Sequence, residues 1–185
     1  MSLQLHEYVR AALPHEGDVR AALAALPDGA WVEAARELHP SLPDFEVVLT
    51  AQGVGGAFAQ TLGLLGDAEV AVARRGPHPL DEGPRLSSEH WTVEQRPLSG
   101  KNHALIAAPL LGEGVPELEL AQLARSVGLQ LSVVACGVEF TSLAARSRLD
   151  MLGVTVTALT QLAHTPGGLQ FERRGAGGNL LVPMP

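Results

Sequence analysis

HALIAAPLLGEGVPELELAQLARSVG, residues 103–128, holds a strand, a turn and a helix in succession. HALIAA (103–108) is an apolar run of strand length, the pattern of a strand covered on both faces. The next residues turn on Gly112 and Gly114. Leu120, Leu123, Ala124 and Val127 then recur at helical spacing, which predicts a helix over 116–127 with Pro116 at its first position. A strand, a glycine turn and a helix start together offer backbone N–H groups and a helix dipole to a phosphate. The side chains oppose that use. The loop has no Lys, Arg, Ser or Thr, Val115 stands where a hydroxyl would serve, and Glu113 adds a negative charge. Pro116 also removes one N–H donor. Two like charges ~4 Å apart repel by about 1 kcal/mol in water and about 4 kcal/mol at an effective dielectric near 20.

The same alternation extends on both sides. FEVVLT (45–50) reads as a buried strand, AQGVGG as a turn, and the apolar residues 54, 57, 58, 61, 62 and 65 as a helix. EVAVA (69–73), LQLSVVACGV (129–138) and VTVTAL (154–159) supply further strands, with a helix from a Thr141 or Ser142 cap to about Met151. GGLQFERR and GNLLVPM suggest short terminal strands. Strands alternating with helices predict an α/β fold, a parallel twisted sheet with helices on both faces. Residues 1–39 are Ala/Leu-rich and broken by Pro14, Gly17, Pro27 and Gly29 into two or three short helices. The expected organisation is an N-terminal helical or hood segment (1–39), a core (40–165) with a mobile loop at 76–100, and a C-terminal hood or tail (166–185). The loop is rich in Pro, Gly and charge, with one strand at HWTVE.

Composition narrows the function. The 185 residues carry a net charge of −7, which argues against a broad basic surface for nucleic acid. One cysteine, Cys136, allows no intrachain disulfide and reads as a buried structural thiol. No apolar run approaches the ~18 residues of a membrane span. The N-terminus lacks a secretory layout, so a cytoplasmic location is expected. The seven histidines show no metal-ligand spacing.

Ligands of such sheets gather at the carboxyl ends of the strands. The loop TAQGVGG (50–56), with Gly53, Gly55 and Gly56 after Ala51-Gln52, is a poor dinucleotide fingerprint, because Phe58 occupies the third glycine position and Arg74-Arg75 end the next strand where an acid is needed. Arg74 and Arg75 suit a phosphate or carboxylate, or a solvated edge. Phe140 could stack a purine beside Glu139. Alternatively, Phe140 packs in the core and Glu139 meets Arg146 on the surface.

In their order these pieces resemble the type I phosphoribosyltransferases, most closely the adenine and xanthine enzymes of purine salvage, from about Phe45 to His164. VVLTAQGVGG…AEVAVARR is similar to the family's first two strands. The 103–128 stretch resembles its signature, and Glu139 with Arg146 resembles a pair in the segment after it. The resemblance implies an acid pair holding the ribose hydroxyls of phosphoribosyl pyrophosphate, at Ala108-Pro109 here. It implies a 5′-phosphate loop at Gly112, Glu113, Gly114, Val115 and Pro116. Pyrophosphate contacts fall at Ala51, Gln52, Gly53, Arg74 and Arg75, with Mg²⁺ if the protein is active. Base contacts fall at Glu139, Phe140 and Arg146. A homodimer is likewise implied.

The departures fall on the chemistry. Ala108-Pro109 replaces Asp-Asp, Glu113 enters the phosphate loop, and Thr50 stands where the purine enzymes carry Glu. The expectation is a phosphoribosyltransferase-related protein that has lost ordinary transfer and binds a small ligand, such as a nucleobase, nucleotide or phosphate, or regulates. No catalytic residue and no bound metal are assigned. The alternative is an active purine enzyme in which Asp81, Glu82 or Glu117 substitutes. An unrelated Rossmann-like binder is a third possibility.

Overall fold

The computed structural model describes residues 3–76 and 83–172. Three helices come first, α1 (Leu3–Ala12), α2 (Glu16–Ala24) and α3 (Asp28–Leu38). The core follows as β1 (Val47–Ala51), α4 (Gly56–Leu65) and β2 (Glu69–Arg75), then a hairpin of β3 (Arg85–Ser87) and β4 (Trp91–Glu94). It continues with β5 (His103–Leu111), α5 (Val115–Ser126), β6 (Gln130–Phe140), α6 (Ala145–Met151), β7 (Thr155–Thr165) and β8 (Gly168–Phe171).

The sheet order is β3-β4-β2-β1-β5-β6-β7-β8. The five central strands are parallel, as the strand–helix alternation predicts. Its edges are antiparallel, because β4 pairs with β2, β3 with β4, and β8 with β7. Apolar residues of the central strands alternate between two cores. Val48, Leu105, Ala107, Val133 and Ala135 join Trp31, Phe58 and the N-terminal helices on one face. Val47, Leu49, Ile106, Val134 and Cys136 meet α5, α6 and Trp91 on the other. Cover on both faces is why these strands read as continuous apolar runs.

Several boundaries differ from the sequence expectation. The helix expected to start from a Thr141 or Ser142 cap starts at Ala145, after Ala144 takes a left-handed conformation (φ 59°) with no side-chain cap. Pro116 is the second helical residue, because Gly114, with φ 77°, already ends the loop. Part of the expected loop 76–100 is the β3–β4 hairpin, and β3 has no apolar run to announce it. The hairpin is fastened to α5 through Glu119, which accepts hydrogen bonds from Ser88 Oγ (2.5 Å) and the His90 backbone N–H (3.1 Å) and meets His90 Nδ1 at 2.8 Å. GGLQFERR contributes β8, whereas GNLLVPM lies outside the described residues.

Pro109 lies inside β5, an unusual place for a proline in a central strand. β1 pairs with β5 only as far as Ile106, so Pro109 stands beyond the last β1–β5 pair, where its missing N–H breaks no β1 pairing. Gly137 of β6 makes room for it. A Cβ on Gly137 would stand 2.7 Å from the Pro109 carbonyl oxygen and 2.9 Å from Trp31 Cζ3. Gly137→Ala is therefore expected to lower stability by ~1–3 kcal/mol, the range for overpacking, measured by thermal melting.

Candidate ligand-binding site

The carboxyl ends of β1, β2 and β5 open into a cavity of about 270 Å³. Its floor is Thr50, Ala51, Gln52 and Gly53 after β1, with Ala108, Pro109 and Leu110 of β5. Thr50 Oγ1 donates to the Ala107 carbonyl at 3.0 Å, which ties β1 to β5 beneath the opening. Gly55 (φ 76°) completes the turn, and a Cβ there would overlap Pro109 Cγ at 2.5 Å, so this loop lies directly on Pro109. The N-terminal helices form a roof, with Arg20, Leu23 and Ala24 from α2 and Trp31 from α3. Arg75 and Trp91 close the side, with the Arg75 guanidinium 5.2 Å from the Trp91 ring centroid.

A second cavity of about 270 Å³ lies along Gly112, Glu113, Gly114 and Val115. Both cavities are lined by Arg20, Leu110, Pro116 and Glu117, which form their common wall. The loop that lacks a cation of its own thus receives one from α2. Arg20 Nη2 would stand 3.2 Å from a Cβ on Gly112. Arg20 is held by Glu16, with Nε donating to Oε1 at 2.7 Å, and Glu16 also meets His164 Nε2 at 3.0 Å. The Arg148 guanidinium donates to the Glu113 carbonyl at 3.1 Å, fixing the loop from α6.

Among the described residues, Glu117 is the only acid lining the main cavity. Burial lifts its carboxyl to about 7, opposed only by its own backbone N–H. No side-chain partner meets it among the described residues, and no neighbouring charge offsets the desolvation. Trp31 Nε1 is also buried without a hydrogen-bond partner.

The sequence-derived candidates separate. Ala51, Gln52, Gly53, Arg75, Ala108, Pro109 and Pro116 line the main cavity, and Gly112, Glu113, Gly114 and Val115 line the adjoining one. Arg74 does not join Arg75. Strand alternation sends it to a separate cleft with Arg85 and Glu94. Glu139, Phe140 and Arg146 lie outside both cavities. Glu139 does meet Arg146, but in the interior and not on the surface, with Glu139 1% exposed. Phe140 is packed in the core, with Arg20 5.0 Å from its ring centroid. Cys136 is fully buried, its Sγ donates to the Val138 carbonyl at 2.9 Å, and burial drives the thiol well up. Arg20 and Trp31 are new to the site, since only tertiary contact brings residues 1–39 over the strand ends.

The Mg²⁺ implied by the resemblance finds no protein cage. Among the described residues no three His, Cys, Asp or Glu side chains converge on one point, and a buried acid displaced to about 7 is a poor single ligand. Among them, too, no helix is long and apolar enough to cross a membrane.

No family model and no curated protein matches the sequence. Solved structures do match. Adenine phosphoribosyltransferase of Thermoanaerobacter pseudethanolicus aligns at TM-score 0.63 and 20% identity, over 75% of this chain and 83% of that one. The chain has the type I phosphoribosyltransferase fold. The Trypanosoma brucei adenine enzyme, solved with AMP, pyrophosphate and ribose-5-phosphate, aligns at TM-score 0.64 and 13% identity over 86% of this chain and 80% of that one. Orotate phosphoribosyltransferase of Aeropyrum pernix aligns at TM-score 0.58 and 18% identity over 76% of each chain. At these identities the likeness concerns the phosphoribosyltransferase fold, while activity rests on the residues in the cavity.

Proposed function

We propose that this phosphoribosyltransferase-fold chain binds a small molecule in the strand-end cavity and has lost ordinary phosphoribosyl transfer, acting as a ligand-binding or regulatory subunit. Pro109 carries this reading. It occupies half of the position where the resemblance implies an acid pair, and its ring packs beneath Gly55, so it offers a sugar hydroxyl no carboxylate. Each charge-assisted hydrogen bond missing there is worth ~1.5–3 kcal/mol. Glu113 in the adjoining loop opposes a phosphate further.

Titration calorimetry with phosphoribosyl pyrophosphate and Mg²⁺ is the test. The expected result is no tight binding to the wild type. Improved binding is expected when Ala108→Asp and Pro109→Asp are combined with Glu113→Gln. Tight donor binding to the wild type, with base-dependent release of pyrophosphate, would overturn the proposal.

One observation favours the active alternative. Of the three acids named as substitutes, Glu117 lines the cavity, while Asp81 and Glu82 lie outside the described residues. An enzyme of that kind would release pyrophosphate and lose the activity in Glu117→Gln. Homodimer assembly belongs to the same proposal and is read from the mass in solution by light scattering.

A further inference from the structure

The main cavity and its neighbour present an unusual set of polar groups. Glu117, 7% exposed, and Trp31, 1% exposed, both border the main cavity, and neither carboxyl nor indole N–H has a side-chain partner there. A buried polar group left without a partner costs ~1–3 kcal/mol; the Trp31 N–H has none and the Glu117 carboxyl has only its own backbone N–H, so a ligand that completes their hydrogen bonding is favoured. The groups around them are donors. Arg20 reaches the common wall from α2, and Arg75 stands at the mouth from β2. An indole N–H and two guanidiniums have no acceptor to offer, so the complementary ligand is rich in acceptors. Leu23 and Pro109 supply apolar walls on which a ring would lie.

We propose that the cavity takes a small ring-bearing organic anion, held by Arg20, Arg75 and the Trp31 N–H, and that Glu117 contacts it as a protonated donor, so that binding takes up a proton. The inference rests on the reading that the cavity binds a small ligand. The Glu117 carboxyl must be neutral beside an anion, since two like charges at contact repel by about 4 kcal/mol at an effective dielectric near 20. Its setting permits that. The charged or titratable groups near it are Arg20 on α2, Arg75 on β2, Glu113 on the preceding loop, and the Cys136 thiol on β6. Arg20 is already paired with Glu16, and Glu16 with His164, so Glu117 is not called on to neutralise it. The carboxyl titrates at about 7. Anion affinity is therefore flat below that value and falls by about ten-fold per pH unit above it.

The chain has two tryptophans, Trp31 and Trp91, and both line the cavity, so intrinsic fluorescence reports its occupancy directly. The probes are benzoate and benzenesulfonate, which stay ionised throughout, and benzamidine as a cation of similar shape. The expected result is that both anions change the emission and bind more tightly at the acid end, while benzamidine does not compete. Glu117→Gln, a neutral donor at every pH, is expected to hold the anions with no pH dependence above neutrality. Calorimetry of the wild type in two buffers of different protonation enthalpy is expected to show about one proton taken up per anion above neutral pH, and this needs no variant. Preference for benzamidine would overturn the inference while leaving small-molecule binding intact. So would anion affinity that is unchanged with pH, or an unaltered pH profile in Glu117→Gln. Failure of all three probes to bind would overturn both this inference and the reading beneath it.

Discussion

Glu117→Gln is expected to stabilise the protein by about 3 kcal/mol in mildly alkaline buffer and to change nothing in acid. The Glu117 carboxyl titrates near 4.5 when unfolded and at about 7 in the folded chain, because burial disfavours its charge. The folded state holds the proton more tightly than the unfolded one. As pH rises from about 4.5, the unfolded chain therefore loses its proton first, and wild-type stability falls across the interval up to about 7. Above it both states are ionised and the penalty stays constant. The amide carries no such penalty, so the difference opens over that interval and then levels. Melting curves should separate by roughly 5–10 °C at the alkaline end for a chain of this size. Equal melting temperatures at both ends, or a gap independent of pH, would show that the carboxyl is not the buried acid inferred here.

Arg146→Ala is expected to cost ~3–5 kcal/mol, among the largest effects of a single truncation in this chain. Arg146 Nε and Nη2 donate to the two Glu139 oxygens at 2.8 Å and 2.5 Å, and Gln161 Nε2 adds a third bond at 2.7 Å. Arg146 Nη1 also donates to the Val156 carbonyl at 2.8 Å, tying α6 to β7. Removing the guanidinium leaves a carboxylate that is 1% exposed with, among the described residues, only Gln161 as partner. Much of the cost comes from that stranded charge and not from the bond itself. The double variant Arg146→Ala with Glu139→Gln should therefore recover a substantial part of the loss, read from urea midpoints. A double variant no more stable than the single one would mean that the Arg146 packing, and not the Glu139 charge, dominates.

The contrast between these two acids shows what spacing can reveal. Glu139 and Arg146 stand seven residues apart across a strand end and a helix, and their pairing was one of two readings open in the sequence. Their burial was not, because it depends on Gln161 of β7 closing over them. Glu117 was only one of three acids weighed as substitutes, since a glutamate in the first turn of a helix ordinarily points to solvent and favours the dipole. Here Arg20, Leu23 and Ala24 of α2 close the space above it. Arg74 and Arg75 were grouped by adjacency, although the two-residue period of a strand already sends neighbours to opposite faces.

By itself the sequence determined the alternation of strands and helices, and with it the parallel sheet and its two-sided core, and it directed the search for a site to the strand ends. Those features follow from local periodicity and turn chemistry, which are written in consecutive residues. The antiparallel hairpin edge, the placement of α2 and α3 of the expected hood segment over the strand ends, and the convergence of Arg20, Trp31 and Glu117 on one cavity came only from the tertiary structure. Arg20 and Glu117 lie far apart along the chain, and no local pattern records which distant surface will exclude water from a carboxyl.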